Sequence, residues 1–366
     1  MSEITDDIYS KLADYLDTLP IGFPRTKSGV EIRILKHIFD PDEAAIALNL
    51  SLIPVENEKL HKRKFKNSGL SLEELKEKLE KMAQKGAIFR ARKDGEVYYS
   101  IALFAVGMFE YQLNRLSKEF ANDFKQYMSE AFIGEFTSTK LPQLRVIPVE
   151  KSVEHVNFIG TYDMLSELIT KERGKIAVSE CICRKMNDLK GYHCTHLREA
   201  CLTLGGAADF YIENKLGREI SKDEALAISR KAQEEGLVIQ PGNTQRPFAI
   251  CACCGCCCEV LSNLKKFDKP VEFIHSNHFA QVDADLCTSC GVCVERCQMN
   301  AISLDNGPAE VNLDRCIGCG VCVPTCPGNA IQLKKKEEEL TPPRNTAELY
   351  MKIGEVKNKL RVSKNT

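Results

Sequence analysis

Two strings of four cysteines constrain this chain more than any other feature: Cys287-x2-Cys290-x2-Cys293-x3-Cys297 and Cys316-x2-Cys319-x2-Cys322-x3-Cys326. Each cysteine of the first recurs 29 positions later in the second. The flanks recur with them, Asp285 as Asp314 and Ala301-Ile302 as Ala330-Ile331. That is a duplication and not chance composition. The rest of the chain is larger than the duplicated segment needs: 366 residues with 43% hydrophobic content can bury a sizeable core and divide into two or three domains.

The spacing suits iron–sulfur chemistry. Three thiolates two residues apart, on a loop that wraps one face of a cube, reach three irons while the amides between them point at the sulfides. Asp283 to Leu333 therefore resembles a two-cluster [4Fe–4S] bacterial-type ferredoxin domain. The resemblance implies that the fourth cysteine of each string serves the other cluster. One cluster would take Cys287, Cys290, Cys293 and Cys326, and the second Cys316, Cys319, Cys322 and Cys297. Gly291 and Gly320 fit the same pattern, since a residue without Cβ lets the backbone pass close to a cluster. Gln298 departs from it, standing where the family has a proline after the fourth cysteine, and reads as a local change in that turn. Paired C-x2-C units also bind zinc, but the third step and the x3-C tail exceed what one tetrahedral ion requires.

Ten further cysteines lie upstream: Cys181 and Cys183 (followed by Arg184), Cys194, Cys201, and the run Cys251, Cys253, Cys254, Cys256, Cys257 and Cys258. Six thiols within eight positions would have to face every direction at once, so they cannot all be core. The apolar stretches 175–179 and 247–250 lead into Cys181 and Cys251, where loops can converge. The expected occupant is a third iron–sulfur or other metal centre, and ten thiols permit two. Zinc and copper remain open because thiolate clusters select both, as do a redox-active disulfide and a non-cubane cluster. His193 and His196 flank Cys194 and read as hydrogen-bond partners before ligands. The arrangement also resembles anaerobe proteins described as iron–sulfur or dicluster ferredoxin-domain proteins, a description that conveys a cofactor and no reaction. A Cys-Cys-Gly is shared with heterodisulfide-reductase-type subunits, but their long-spaced second half is missing here.

The N-terminal third reads as helices followed by a hairpin. Residues 31–50 have helical spacing interrupted at Asp40-Pro41, and Ser71 opens a helix with Leu72, Leu75, Leu79 and Met82 on one face and Gly86 as its stop. Two short strands joined through Lys93-Asp94-Gly95 follow. This order resembles a winged helix. As a DNA reader it is poor, because Glu73, Glu74, Glu77 and Glu80 on the recognition-helix candidate would repel phosphate, so protein docking is preferred. Residues 108–131 read as one helix whose aromatics pack as core. Between 221 and 224 a capping box starts a scaffold helix that ends near Gly236.

The expected organisation is α+β and multi-domain: a winged-helix-like domain (1–140), a cysteine-rich middle domain (141–280), a two-cluster ferredoxin domain (281–335) and a C-terminal tail (336–366). The duplicated segment holds six acids against Arg296 and Arg315, a net of −4, which would steer it toward a basic patch on a redox partner. The run Lys334 to Pro343 reads as a solvated exit, and Leu349, Ile353 and Val356 give the tail helical spacing. No basic, apolar leader opens the chain, so metal ligation is favoured over disulfides. No apolar run approaches the ~20 residues that span a bilayer, and the stretch 101–108 is far too short. The expectation is a cytoplasmic electron carrier of an anaerobe, relaying single electrons between redox proteins. Its rivals are a redox-sensing transcription regulator and an enzyme whose middle cysteines are catalytic and fed by the clusters.

Overall fold

The protein is α+β, and its sheets pair antiparallel. A computed structural model describes residues 2–153, 160–305 and 307–364. In the N-terminal region, helices Ser2–Asp17, Val30–Ile38 and Pro41–Ala47 pack with one another, and helix Leu72–Gln84 packs on a small sheet of β1 (Val55–Glu56), β2 (Phe89–Lys93) and β3 (Glu96–Ser100). Local chemistry sets these boundaries. Asp40 and Glu43 form a capping box ahead of Pro41, and the Ser71 hydroxyl accepts from the Glu74 N–H at 3.2 Å. The two-residue loop Asp94-Gly95 has positive φ at both positions (53° and 83°), as a tight hairpin turn requires.

Residues 108–131 are not one helix. A short turn at Glu110–Gln112 is followed by a fresh start at Lys118–Tyr127, because Ser117 caps the Phe120 N–H at 3.0 Å. The aromatics are core as expected, with Phe109 stacked on Phe124 at 3.6 Å between centroids.

The middle region is a five-stranded sheet in the order β6-β4-β5-β8-β7, built from β4 (Ile176–Glu180), β5 (Glu199–Leu204), β6 (Arg218–Ile220), β7 (Val238–Pro241) and β8 (Ala249–Cys253). Strand alternation gives it two different faces. Ile176, Val178, Leu202, Ile250 and Ala252 pack with Ala225 and Ala232 of the helix Lys222–Glu234, which Ser221 caps. Ala177 joins the apolar cluster of the N-terminal region, together with Ile182, Met186 and Phe210. That cluster therefore runs past residue 140 without a break. Buried Arg90, on β2, ties the two regions further by pairing with Glu80 and, at 2.5 Å, with Glu213.

In the duplicated segment, β9 (His278–Val282) pairs with β12 (Ile331–Lys335), and β10 (Ile302–Ser303) pairs with β11 (Glu310–Val311). The repeat is a structural twofold. The Asp283 N–H donates to the Ala330 carbonyl at 2.7 Å, and 29 residues on the Asn312 N–H donates to the Ala301 carbonyl at 2.8 Å.

The chain after β12 is not a free exit. Pro342 and Pro343 are buried, and the Gln245 N–H and side-chain amide donate to their carbonyls at 2.8 and 3.0 Å. The final helix, Thr346–Lys364, docks on the N-terminal region through buried Leu349 and Ile353 and through Lys357, whose Nζ lies 2.6 Å from Glu135 Oε1.

Candidate metal centres

Backbone symmetry places the eight duplicated thiols in two separate quartets. Cys287, Cys290 and Cys293 line one cavity of about 330 Å³ together with Cys326, from the far end of the segment. Cys316, Cys319 and Cys322 line another of about 350 Å³ together with Cys297. The fourth cysteine of each string thus faces the other string's trio. Amides point at the sulfurs in matched pairs. The Ala309 N–H donates to Cys287 Sγ at 3.3 Å and the Ala280 N–H to Cys316 Sγ at 3.4 Å. Ala301 and Ala330 do the same for Cys297 (3.2 Å) and Cys326 (3.3 Å). Such N–H···S bonds stabilise thiolate charge and tune the potential of a bound cluster.

Gly291 and Gly320 both adopt positive φ (78° and 72°). Thiolate donors, inward amides and an enclosed cavity fit an iron–sulfur cluster at both positions. Residues 286–331 match the 4Fe-4S dicluster domain. No curated protein and no solved structure matches the chain.

The two halves of this dicluster segment differ in setting. At the first quartet Cys290 is exposed, and Leu286 (50% exposed) and Val292 stand in solvent beside it. The second quartet is packed against the middle region, where burial pushes the Cys319 thiol up to about 12. Both arginines of the segment point inward: Arg315 donates to the carbonyls of Phe267 (2.9 Å) and Lys265 (2.7 Å), and Arg296 to that of Glu234. Asp283, Asp285, Glu295, Asp305 and Glu310 are left exposed, so the outer face of the segment is purely acidic at these positions.

Gln298 accounts for its departure from the family pattern. Its Oε1 accepts from the Gly255 N–H at 2.6 Å and its Nε2 donates to the Gly236 carbonyl at 3.1 Å. A proline there would make neither bond. A Cβ on Gly255 would collide with the Gln298 carbonyl, so the glycine within the cysteine run permits this approach.

The ten upstream thiols separate into four and six. Cys194, Cys254, Cys256 and Cys257 lie within 4.8 Å of one another, with Sγ···Sγ distances of 3.9 Å (194 to 254 and 194 to 256) and 3.7 Å (256 to 257). Ligands about 2.3 Å from a tetrahedral ion stand about 3.8 Å apart. This group therefore has the spacing of a single tetrahedral ion, zinc or iron, and not of a cubane. Among the described residues no three thiols of the dicluster quartets come so close.

Neither neighbouring histidine joins the group. His193 Nδ1 lies 3.2 Å from Asp188, and His196 Nδ1 lies 3.7 Å from Glu235.

The other six, Cys181, Cys183, Cys201, Cys251, Cys253 and Cys258, line a chamber between the sheet and the N-terminal region, and Cys254 of the first group reaches its wall as well. They are not gathered at converging loops as the apolar stretches suggested. Cys201 lies within β5 directly opposite Cys251 on β8, and Cys251 and Cys253 share a strand face two residues apart. Cys181 and Cys258 precede the helices Ile182–Leu189 and Glu259–Leu264, and Cys183 is in the first turn of the former.

Arg184 stands between the two groups with no exposure at all. It donates to the carbonyls of Leu197 (2.8 Å) and Ala252 (3.0 Å), its Nε has no N or O partner, and the charges closest to it are the sulfurs of Cys181, Cys254 and Cys253. A guanidinium cannot stay charged in such a place without an anion. The sulfurs around it supply one.

Proposed function

We propose that the chain is an iron–sulfur electron-transfer protein that takes single electrons at an exposed, acidic face and passes them inward to its own cysteine-rich middle. The observation that carries this reading is the unlike setting of the two quartets, one at the surface beside exposed Cys290 and one packed on the middle region through Gln298. Cys287, Cys290, Cys293 and Cys326 would hold one [4Fe–4S] cluster, and Cys316, Cys319, Cys322 and Cys297 the other. A bound cluster supplies a one-electron store of tunable potential. The residues of this chain enclose it, aim amides at its thiolates and keep water from the inner quartet.

Inward transfer is supported by continuity of packing. Cys253 and Cys258 of the chamber belong to one apolar cluster with Met299 and Ile317, against which Cys297 and Cys319 also pack. The partner would be a redox protein presenting a basic patch, in the reducing cytoplasm of an anaerobe. The N-terminal region would serve protein docking. Its helix Leu72–Gln84 spends its charges locally, with Lys76 on Glu73 at 3.1 Å and Lys81 on Glu77 at 2.7 Å, and so leaves little positive potential for phosphate.

Stopped-flow reduction by mediators of opposite charge tests this reading. A viologen radical cation should reduce the full chain faster than an anionic reductant of similar driving force, with the advantage fading as salt screens the acidic face. Rates that ignore both charge and salt would contradict it.

A further inference from the structure

The chamber lined by the six thiols is roomier than the space around either dicluster quartet. We propose that Cys181, Cys183, Cys201, Cys251, Cys253 and Cys258 hold a polynuclear iron–sulfur centre of their own, distinct from the tetrahedral-ion site formed by Cys194, Cys254, Cys256 and Cys257. This deepens the electron-transfer reading, and rests on it for the choice of iron over copper.

Three observations exclude a single ion in the chamber. Six sulfurs exceed the four that a tetrahedral metal accepts. Among the described residues no three of the six lie within 4.8 Å of one another, whereas the thiols of the neighbouring group do. Like the dicluster thiols, the six are not drawn together as the ligands of one ion are. The volume points the same way.

The two centres are separate because of strand geometry. Successive side chains of a strand point to opposite faces. Cys251 and Cys253 therefore share the face of Cys201, while Ala252 and Cys254 belong to the apolar cluster behind the sheet. Turning out of β8, the chain sends Cys256 and Cys257 to join Cys254 and brings Cys258 back to the chamber at the start of the next helix. The vicinal run thus serves both sides of one sheet edge.

A thiol core without metal does not explain the chamber. Buried cysteines behave as small hydrophobes and pack against carbon, but these six face a common space. The opposite wall is mostly aromatic, with Phe109, Phe124, Phe132 and Phe136, and the carboxylates that also line the space, Glu110 and Glu259, are engaged by the Gly107 N–H and by Lys125. Arg184 lines the same space with an unpartnered Nε and full burial. A cation so placed needs anionic sulfur beside it, and Cys181 and Cys253 of the chamber supply it together with Cys254. Iron–sulfur is favoured over copper because Cys253 and Cys258 share an apolar cluster with the inner dicluster quartet.

The test compares two double variants of the full chain, prepared anaerobically with 57Fe. Cys251→Ser with Cys253→Ser should remove two or more irons and one Mössbauer component, leaving the dicluster EPR signals and the tetrahedral ion in place. Cys194→Ser with Cys256→Ser should remove one metal ion only. The proposal is overturned if the first pair loses no iron or a single metal, or if both pairs abolish the same component. Loss of the dicluster signals in the unsubstituted chain would instead refute the underlying electron-transfer reading.

Should the first pair fail to fold, a chelator time course on the unsubstituted chain decides the matter. Cys256 is exposed, so its ion should leave first, with the chamber irons released in a later and slower phase. Release of all middle-region metal in one phase would overturn the proposal.

Discussion

Gln298 Oε1 accepts the Gly255 N–H at 2.6 Å, joining the residue after the last cysteine of the first string to the glycine inside the upstream run. Two cysteine-rich regions thereby meet through one side chain, between residues 43 positions apart in sequence. Gln298→Ala removes this bond and the one to the Gly236 carbonyl, which should cost about 1–3 kcal/mol. Denaturant unfolding should register that loss while the EPR of the dicluster segment is unchanged. Equal stability of variant and parent would mean that the contact carries no docking energy.

The C-terminal helix gives a second prediction. Lys357 is 6% exposed and bonds Glu135 together with the carbonyls of Asp17 and Leu19, both at 3.1 Å. Lys357→Ala leaves a mostly buried carboxylate without its cation, so a loss of about 3–5 kcal/mol is expected. Lys357→Met with Glu135→Gln should recover part of it, because no unpaired charge remains. A thermal melt of the three proteins checks the order.

His278 makes the third. It is 1% exposed, neither ring nitrogen has a partner, and burial followed by the nearby Lys335 pushes its pKa down to about 4; Glu339 and Lys336 are its other charged neighbours. The unfolded chain takes up this proton near pH 6.5 and the folded chain only near 4. The neutral ring's contribution is therefore fully present above pH 6.5 and is lost as pH falls toward 4, by up to roughly 3 kcal/mol. His278→Phe should flatten the fall in stability between those values relative to the parent. An unchanged slope would show that the ring is already protonated or solvated in the native state.

Nucleic-acid binding is the fourth. The charges of Leu72–Gln84 pair among themselves and with Asp42 and Arg90, so any affinity for DNA should be weak, non-specific and steeply salt-dependent. A specific footprint at physiological salt would favour a transcription regulator.

The sequence disclosed the duplicated segment almost entirely, because its ligands are local repeats and a 29-residue offset is visible without tertiary information. It disclosed helix starts where side chains close their own caps, as at Ser71 and Ser221. The division of the ten upstream thiols was missed although half of it is written in Cys251-Ala252-Cys253-Cys254: once the apolar stretch before it is extended into a strand, alternation separates Cys254 from its neighbours. The place of Cys201 opposite Cys251 depends on the register of two strands almost fifty residues apart, which one sequence does not encode locally. Arg184 was legible as part of a motif but not as a buried cation, since burial is a property of everything packed around it.

Iron and acid-labile sulfide analysis of the anaerobically isolated full chain, with low-temperature EPR after reduction, bears most directly on electron storage in the dicluster segment. Two [4Fe–4S] clusters predict roughly eight irons and eight sulfides or more, and a spectrum broadened by interaction between two reduced centres. A chain that holds only zinc, with no visible charge-transfer absorption and no EPR on reduction, would contradict it.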